Sequence, residues 1–216
     1  MYRNFIKRAL DVAFALAALP FLAVAAIFVC PAIWLEDGGP AFYNAGRLGK
    51  GGRVFRMLKF RTMRTNSPDI RNEDGSTFSS ESDPRLTRIG KILRKTSIDE
   101  LPQILNVLTG DMSIIGPRPD LPEHYELYSE QEKRKLEARP GMTGYNQAYF
   151  RNSIKWKDRI ANDIYYIDNM SFLMDLRIAL KTVGSVLYGR SVYTDGGAEG
   201  QGGEPAHGKA RKRDIN

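Results

Sequence analysis

Cysteine and histidine are almost absent from this chain, which has one cysteine, Cys30, and two histidines, His124 and His207. A single thiol excludes an intrachain disulfide and any cysteine-built zinc site, and two histidines are too few for most histidine-rich metal centres. Acidic residues are missing from Gly38 to Arg64, a stretch that carries Arg47, Lys50, Arg53, Arg56, Lys59, Arg61 and Arg64. Charge of either sign is missing over the 24 residues from Val12 to Leu35. No internal repeat is visible. The overall balance is basic, with 32 Lys and Arg against 25 Asp and Glu and a net charge of +7. That charge is compatible with nucleic acid, anionic lipid or phosphorylated substrates and does not choose among them.

The uncharged run is long enough to cross a membrane, because at about 1.5 Å per residue it covers roughly 36 Å against a hydrocarbon core of about 30 Å. Its flanks point elsewhere. Arg3, Lys7 and Arg8 precede it and the seven basic residues above follow it. Basic residues beside a membrane segment stay on the cytoplasmic side, so both ends are placed there and a re-entrant hairpin is expected. Pro20 supplies the break, since a helical proline removes one donor and clashes with the carbonyl four residues back. An ordinary bitopic helix kinked at proline is the alternative. A cleaved signal peptide fits poorly, the run being longer than the usual h-region of about 7–15 residues.

Beyond this anchor, assigned to residues 1–40, Gly38-Gly39-Pro40 ends the membrane segment. Ala41 to Tyr43 and Val54 to Met63 read as short strands around the turn Gly49-Lys50-Gly51-Gly52. Residues 66–84 read as a polar surface loop. From Arg85 to Lys95, Leu86, Ile89, Ile92 and Leu93 recur at helical spacing among basic residues, the pattern of a helix lying on a membrane surface or of a solvated basic helix. Ser129 and Glu132 form a capping-box pattern opening a short charged helix that Pro140-Gly141 stops. Phe172 to Leu187 gives a longer amphipathic helix, and 191–216 reads as a disordered, glycine-rich basic tail. The fold class expected is α+β and mostly helical, with amphipathic interfacial helices around a compact cytoplasmic catalytic domain over 41–190.

The chemistry concentrates at Thr96-Ser97-Ile98-Asp99-Glu100-Leu101-Pro102-Gln103. Ser97 and Glu100 have capping-box spacing and Pro102 belongs in a first helical turn, which puts Asp99 at or beside a helix N-terminus. A carboxylate held ionised there can attack phosphorus or bind Mg²⁺, but it can equally be a plain cap. Gly116-Pro117-Arg118-Pro119 then brings a guanidinium into a stiff turn, and its planar fork suits phosphate oxygens. Lys59 and Arg61 come from another short segment that can converge on the same anion.

Taken in order, Lys7-Arg8 with Asp11, Lys59-Phe60-Arg61-Thr62-Met63, Ser97 to Gln103, Gly116 to Pro119 and Arg139-Pro140-Gly141-Met142-Thr143-Gly144 resemble the monotopic phosphoglycosyl transferases, the bacterial sugar transferase family. The resemblance runs from about Tyr2 to Tyr188. It implies a catalytic dyad at Asp99 and Glu100 with Mg²⁺ held there, and a phosphate-binding role for Arg118. Lys59 and Arg94 are further substrate-binding candidates, although either could bind lipid headgroups. It further implies that Asp99 attacks the β-phosphate of a UDP-sugar, releasing UMP, and that polyprenol (undecaprenyl) phosphate takes the phosphosugar from the aspartate. The implied setting is the cytoplasmic face of the bacterial inner membrane, with anionic lipid as a partner and no nucleic acid.

The chain departs from the family pattern in two places. The usual Ser-Pro break falls on Ala23-Val24 here, with Pro20 one turn earlier. After Thr143-Gly144 the chain reads Tyr145-Asn146-Gln147-Ala148-Tyr149-Phe150, unlike many members, which bears on the sugar preferred. The competing expectation is a non-enzymatic, membrane-anchored basic module for anionic lipid or nucleic acid. It leaves the Asp-Glu pair and Arg118 without a purpose.

Overall fold

The computed structural model describes residues 1–70, 80, 82–150 and 154–187. The tail expected over 191–216, and most of the loop expected over 66–84, lie outside the described residues. A short π-helical turn, Tyr2–Ile6, leads into α1, Lys7–Asp37. The strands and further α-helices are β1 (Phe42–Leu48), β2 (Val54–Phe60), α2 (Arg88–Thr96), α3 (Gln103–Thr109), β3 (Ser113–Ile115), β4 (Gly141–Thr143), α4 (Tyr145–Tyr149), α5 (Trp156–Asp168) and α6 (Phe172–Leu187), with short 3₁₀ helices at Lys50–Gly52, Ile98–Glu100, Pro122–Leu127 and Glu132–Glu137. Helix dominates an α+β fold.

At 31 residues, α1 is about 46 Å long. Asp11, Ala15, Leu22 and Ile33 are buried along one face, with Leu19, Ala26 and Val29 partly buried beside them, so one stripe of a helix that is apolar all round packs on the rest of the protein. Phe14, Phe21, Val24, Ile27, Phe28, Trp34 and Leu35 stand exposed on the rest. A surface that apolar marks a site for lipid or a partner. The chain does not turn back at Pro20 as expected: the helix runs through Pro20 and Pro31 and ends only at Gly38, whose left-handed backbone (φ 68°) returns its N–H to the Trp34 carbonyl at 2.8 Å. Pro20 is exposed, so its ring and the missing donor fall outside the packed face.

Both ends of α1 are bonded to the same body. At the start, Lys7 Nζ reaches Asp175 Oδ2 at 2.6 Å, and Arg8 donates to the Val107 and Leu108 carbonyls at the end of α3 at 2.6 and 3.1 Å. Asp11 Oδ1 accepts from Ser113 Oγ and the Ile114 amide at 3.1 and 3.0 Å. At the far end, Glu36 accepts from the Arg88 and Ile89 amides at 2.6 and 3.0 Å, satisfying orphan donors of α2, and Asp37 takes the Arg61 guanidinium in a two-pronged pair.

Antiparallel β1 and β2 pair Phe42 with Phe60 and Leu48 with Val54 around the glycine turn. The hairpin is the one expected, with a first strand longer than Ala41–Tyr43. Met63, placed in the second strand by sequence, instead makes a lone bridge to Leu86. That bridge delays α2, expected from Arg85: Arg85 is occupied with Asp83, and Thr87 caps the helix through Gly90 N–H to its Oγ1 at 2.8 Å. A parallel pair, β3 with β4, was not anticipated from the sequence, each strand being three residues long. The Ser129–Glu132 capping box forms reciprocally and opens a 3₁₀ helix, Glu132–Glu137. On α6 the core contact falls to fully buried Ile178, while Leu173, Leu176, Leu180 and Val183 face outward.

Gly90 lies so close to the Thr62 backbone that a Cβ there would overlap its carbonyl. Helix propensity alone makes Gly90→Ala stabilising by about 1 kcal/mol. The close approach reverses that sign, and Gly90→Ala is expected to lose about 1–3 kcal/mol by overpacking, read as a lower Tm in detergent or nanodisc. A Tm at or above wild type would show that α2 moves freely over residue 62.

Candidate active site

Asp99 and Glu100 lie in a single 3₁₀ turn, Ile98–Glu100, between α2 and α3. Ser97, in the left-handed region at φ 58°, ends α2 and turns the chain into it. The capping box expected at Ser97 and Glu100 does not form. Pro102 holds the N-cap position of α3, Ser97 makes no side-chain cap, and Glu100 is taken by Lys59. Asp99 likewise accepts no hydrogen bond among the described residues, so it is no helix cap.

Lys59 arrives by strand alternation. Phe55 and Met57 on β2 are buried, and Lys59 shares their side of the pleat. Its Nζ lies 2.6 Å from Glu100 Oε1 and 4.0 Å from Asp99 Oδ2. Buried Asn106 holds this register, its amide nitrogen donating to the Arg56 carbonyl and its oxygen accepting from the Leu58 amide, both at 2.9 Å. Sequence reasoning passed over Asn106. The available signal was a lone polar residue within the apolar run Ile104-Leu105-Asn106-Val107-Leu108.

Arg94, in the last turn of α2, donates to Thr62 Oγ1 at 3.1 Å, and Arg118 stands exposed in the turn after β3. Both lie close enough to favour the ionised forms of Asp99 and Glu100. The structure thus brings together all five residues expected at the site. Arg61 goes elsewhere, to Asp37 and the Pro40 and Met63 carbonyls, because it is consumed in fastening the end of α1.

The Arg118 turn is seated by backbone contact. The Gly116 amide donates to the Thr143 carbonyl and the Gly141 amide to the Pro117 carbonyl, both at 2.9 Å. A Cβ on Gly116 or Gly144 would strike opposing backbone, which explains glycine in both motifs.

The two carboxylates are electrostatically unequal. Burial pushes Asp99 up to about 6, with Glu100 adding to the shift and Lys59, Arg94 and Arg118 opposing it. Burial also works against ionisation of Glu100, but Lys59 and Arg118 outweigh it and hold that carboxyl below the usual range. The result is a pinned anion beside a more basic carboxylate that is still mostly ionised above neutral pH. A buried carboxylate of that kind, ringed by cations, is equipped to attack an electrophile that carries negative charge.

A family profile described as bacterial sugar transferase matches residues 2–189. The chain belongs to the bacterial sugar transferase family. Among its relatives, galactosyl transferase CpsE of Streptococcus agalactiae is 44% identical over 191 residues, covering 85% of this chain and 42% of the relative. Exopolysaccharide production protein ExoY of Sinorhizobium fredii is 40% identical over 198 residues, covering 87% of this chain and 88% of the relative. Undecaprenyl-phosphate galactose phosphotransferase of Salmonella typhimurium is 36% identical over 204 residues, with 88% and 42% covered. The chain therefore spans about two-fifths of some relatives and nearly nine-tenths of others. Membership makes this sugar transferase an enzyme and sets aside the non-enzymatic basic module.

Activity of the transferase is expected to fall as pH drops through about 6, where Asp99 takes up its proton. Lys59 favours the ionised form, so Lys59→Met should move this acid limb to higher pH as well as lowering the plateau. A pH–rate profile of the two proteins checks the sign; an unmoved or lowered limb would mean that Lys59 does not act on Asp99.

Proposed function

We propose that this transferase moves a phosphosugar from a nucleoside diphosphate sugar, a UDP-sugar, to undecaprenyl phosphate, through a covalent intermediate on Asp99. The observation that carries the proposal is buried Asp99 beside Lys59-pinned Glu100, with Arg94 and Arg118 facing both. A carboxylate oxygen of Asp99 attacks the β-phosphorus, and the bond from that phosphorus to the oxygen bridging the two phosphates breaks. UMP leaves with the electron pair. An oxygen of the lipid phosphate then attacks the same phosphorus, a diphosphate bond forms, and Asp99 departs as a carboxylate. Arg118 grips the diphosphate through its planar fork, while Lys59 keeps Glu100 ionised and adds positive charge where the phosphate oxygens crowd.

Asp99 and Glu100 are the residues that would hold Mg²⁺. Two adjacent carboxylates suit a hard cation that takes its other ligands from phosphate and water, and among the described residues no cluster of three metal-ligating side chains offers a closed protein site. When bound, the ion neutralises charge on the phosphate oxygens.

The exposed apolar face of α1 suits insertion at the membrane where the lipid acceptor resides, on the cytoplasmic face of the inner membrane. Because both ends of the unbroken α1 are bonded to the same body, the helix lies along that body's side of the membrane with its exposed apolar face inserted, and does not cross. Single cysteines at Tyr2 and Ser80, in a Cys30→Ala background, should therefore react with an impermeant maleimide only after the cytoplasmic face is opened. Labelling of position 2 from the periplasm would establish a bitopic anchor.

Asn has nearly the shape of Asp but cannot form the adduct. Asp99→Asn is expected to abolish UMP release while remaining folded. The raised value of Asp99 means that its ionised form weakens folding as pH rises through about 6, so at pH 7.5 the Asn variant should melt at or above wild type. Wild type given a panel of UDP-sugars with Mg²⁺, and no lipid phosphate, should gain one phosphosugar on the peptide containing Asp99; excess EDTA should suppress it. Turnover by the Asn variant would replace the covalent route with direct attack by the lipid phosphate.

A further inference from the structure

Behind the Arg118 turn lies a buried ionic cluster that the reaction above does not use. Asp120, two residues beyond Arg118, receives the Tyr128 hydroxyl and the Lys135 ammonium on the same oxygen, Oδ2, each at 2.5 Å. The Lys135 side chain is only 4% exposed, and its Nζ also lies 3.0 Å from Oδ2 of Asp163, whose side chain is 2% exposed. The other Asp163 oxygen accepts from Asn146 Nδ2 at 2.8 Å, on α4. The Asp120 carbonyl is held as well, by the Leu48 amide at 2.9 Å.

Arg118 is thus an exposed residue in a segment pinned on both sides, through Gly116 and Pro117 to β4 on one and through Asp120 to Lys135 on the other. Stability alone explains such a cluster poorly. Taking one cation and two carboxylates out of water is unfavourable, and their attraction offsets that penalty only in part, so an apolar trio of equal volume can be as stable. What charge-assisted hydrogen bonds add is direction, because they are short and fix the groups they join. Asp120 is the member of the cluster joined to Arg118 by backbone, with proline on either side of Arg118 to limit its rotation.

We propose that Lys135, acting through Asp120 and supported by Tyr128, is a positioning residue for Arg118: it holds the Gly116–Asp120 turn so that the guanidinium meets the diphosphate. This rests on the proposed role of Arg118 in gripping that diphosphate. The cluster also continues through Asp163 to Asn146, which ties the turn to the segment where this chain departs from the family pattern.

The test is a pair of double-mutant cycles read in kcat/KM for UMP release by the full-length protein in membrane mimetic. Lys135→Met should lower kcat/KM by about 10- to 100-fold in the wild-type background, and by less than about 3-fold when Arg118→Ala is already present. Tyr128→Phe removes a single hydrogen bond and keeps the ring stacked on Trp156. It should lower kcat/KM by about 3- to 10-fold, mainly through KM for the UDP-sugar, and have no effect in the Arg118→Ala background. If Lys135→Met fails to fold, the Tyr128→Phe cycle decides. Equal losses in both backgrounds would make the cluster merely structural and overturn the proposal. Absence of UMP release by wild type itself would instead overturn the proposed function, and the positioning role with it.

Discussion

The attachment of α1 at both of its ends is the constraint on which the rest of the molecule depends. Lys7, Arg8 and Asp11 hold its beginning to α6, α3 and β3, and Glu36 and Asp37 hold its end to α2 and Arg61. Between these points Ala15 packs with Phe55, Met57, Ile104, Val107 and Met112, and Leu22 and Ile33 with Phe60 and Leu93. Helix α1 is therefore part of the core that places β2, α2 and α3 around Asp99. One helix carries two kinds of surface, a packed stripe that faces protein and a remainder that is apolar and exposed.

The site shows how that frame is used. Three elements each deliver a cation: β2 gives Lys59, α2 gives Arg94 and the turn after β3 gives Arg118. The turn between α2 and α3 delivers the two anions. Burial raises Asp99 while Lys59 keeps Glu100 ionised, so two adjacent carboxylates become chemically different through surroundings alone. An aspartate held in that state opposes folding slightly at neutral pH, a familiar conflict between stability and reactivity.

Part of the candidate site was legible in the sequence. Asp99, Arg118 and Lys59 stood out because a carboxylate beside a turn, an arginine between prolines and a lysine in a short basic segment suit anion chemistry by residue type and spacing, whereas the pairing of Asp99 with Glu100 as a dyad and the inclusion of Arg94 came from the family resemblance. The local grammar was less reliable. Ser97 and Glu100 have capping-box spacing, yet Ser97 takes a left-handed backbone that ends α2, and Glu100 pairs with Lys59, a partner that carries a full opposite charge. The same spacing at Ser129 and Glu132 formed its box, and there the pairing partner of Glu132, Lys157, could be accommodated at the same time. By residue type Arg61 is as suited to the anion as Lys59, and only the position of Asp37 decides otherwise.

The sequence by itself determined the long apolar helix, the hairpin, the amphipathic character of Phe172–Leu187 and the residue types available to the candidate site, because each depends on short-range periodicity or on residue type. Tertiary structure alone decided the rest. It ran α1 unbroken past Pro20, since packing along Ala15, Leu22 and Ile33 and bonds at both ends hold a helix that local proline chemistry would break. It paired three-residue strands too short to announce themselves, and it gathered Asp120, Lys135 and Asp163 from distant segments into one buried cluster. Those are long-range contacts, and no local pattern encodes which distant partner a buried charge will find.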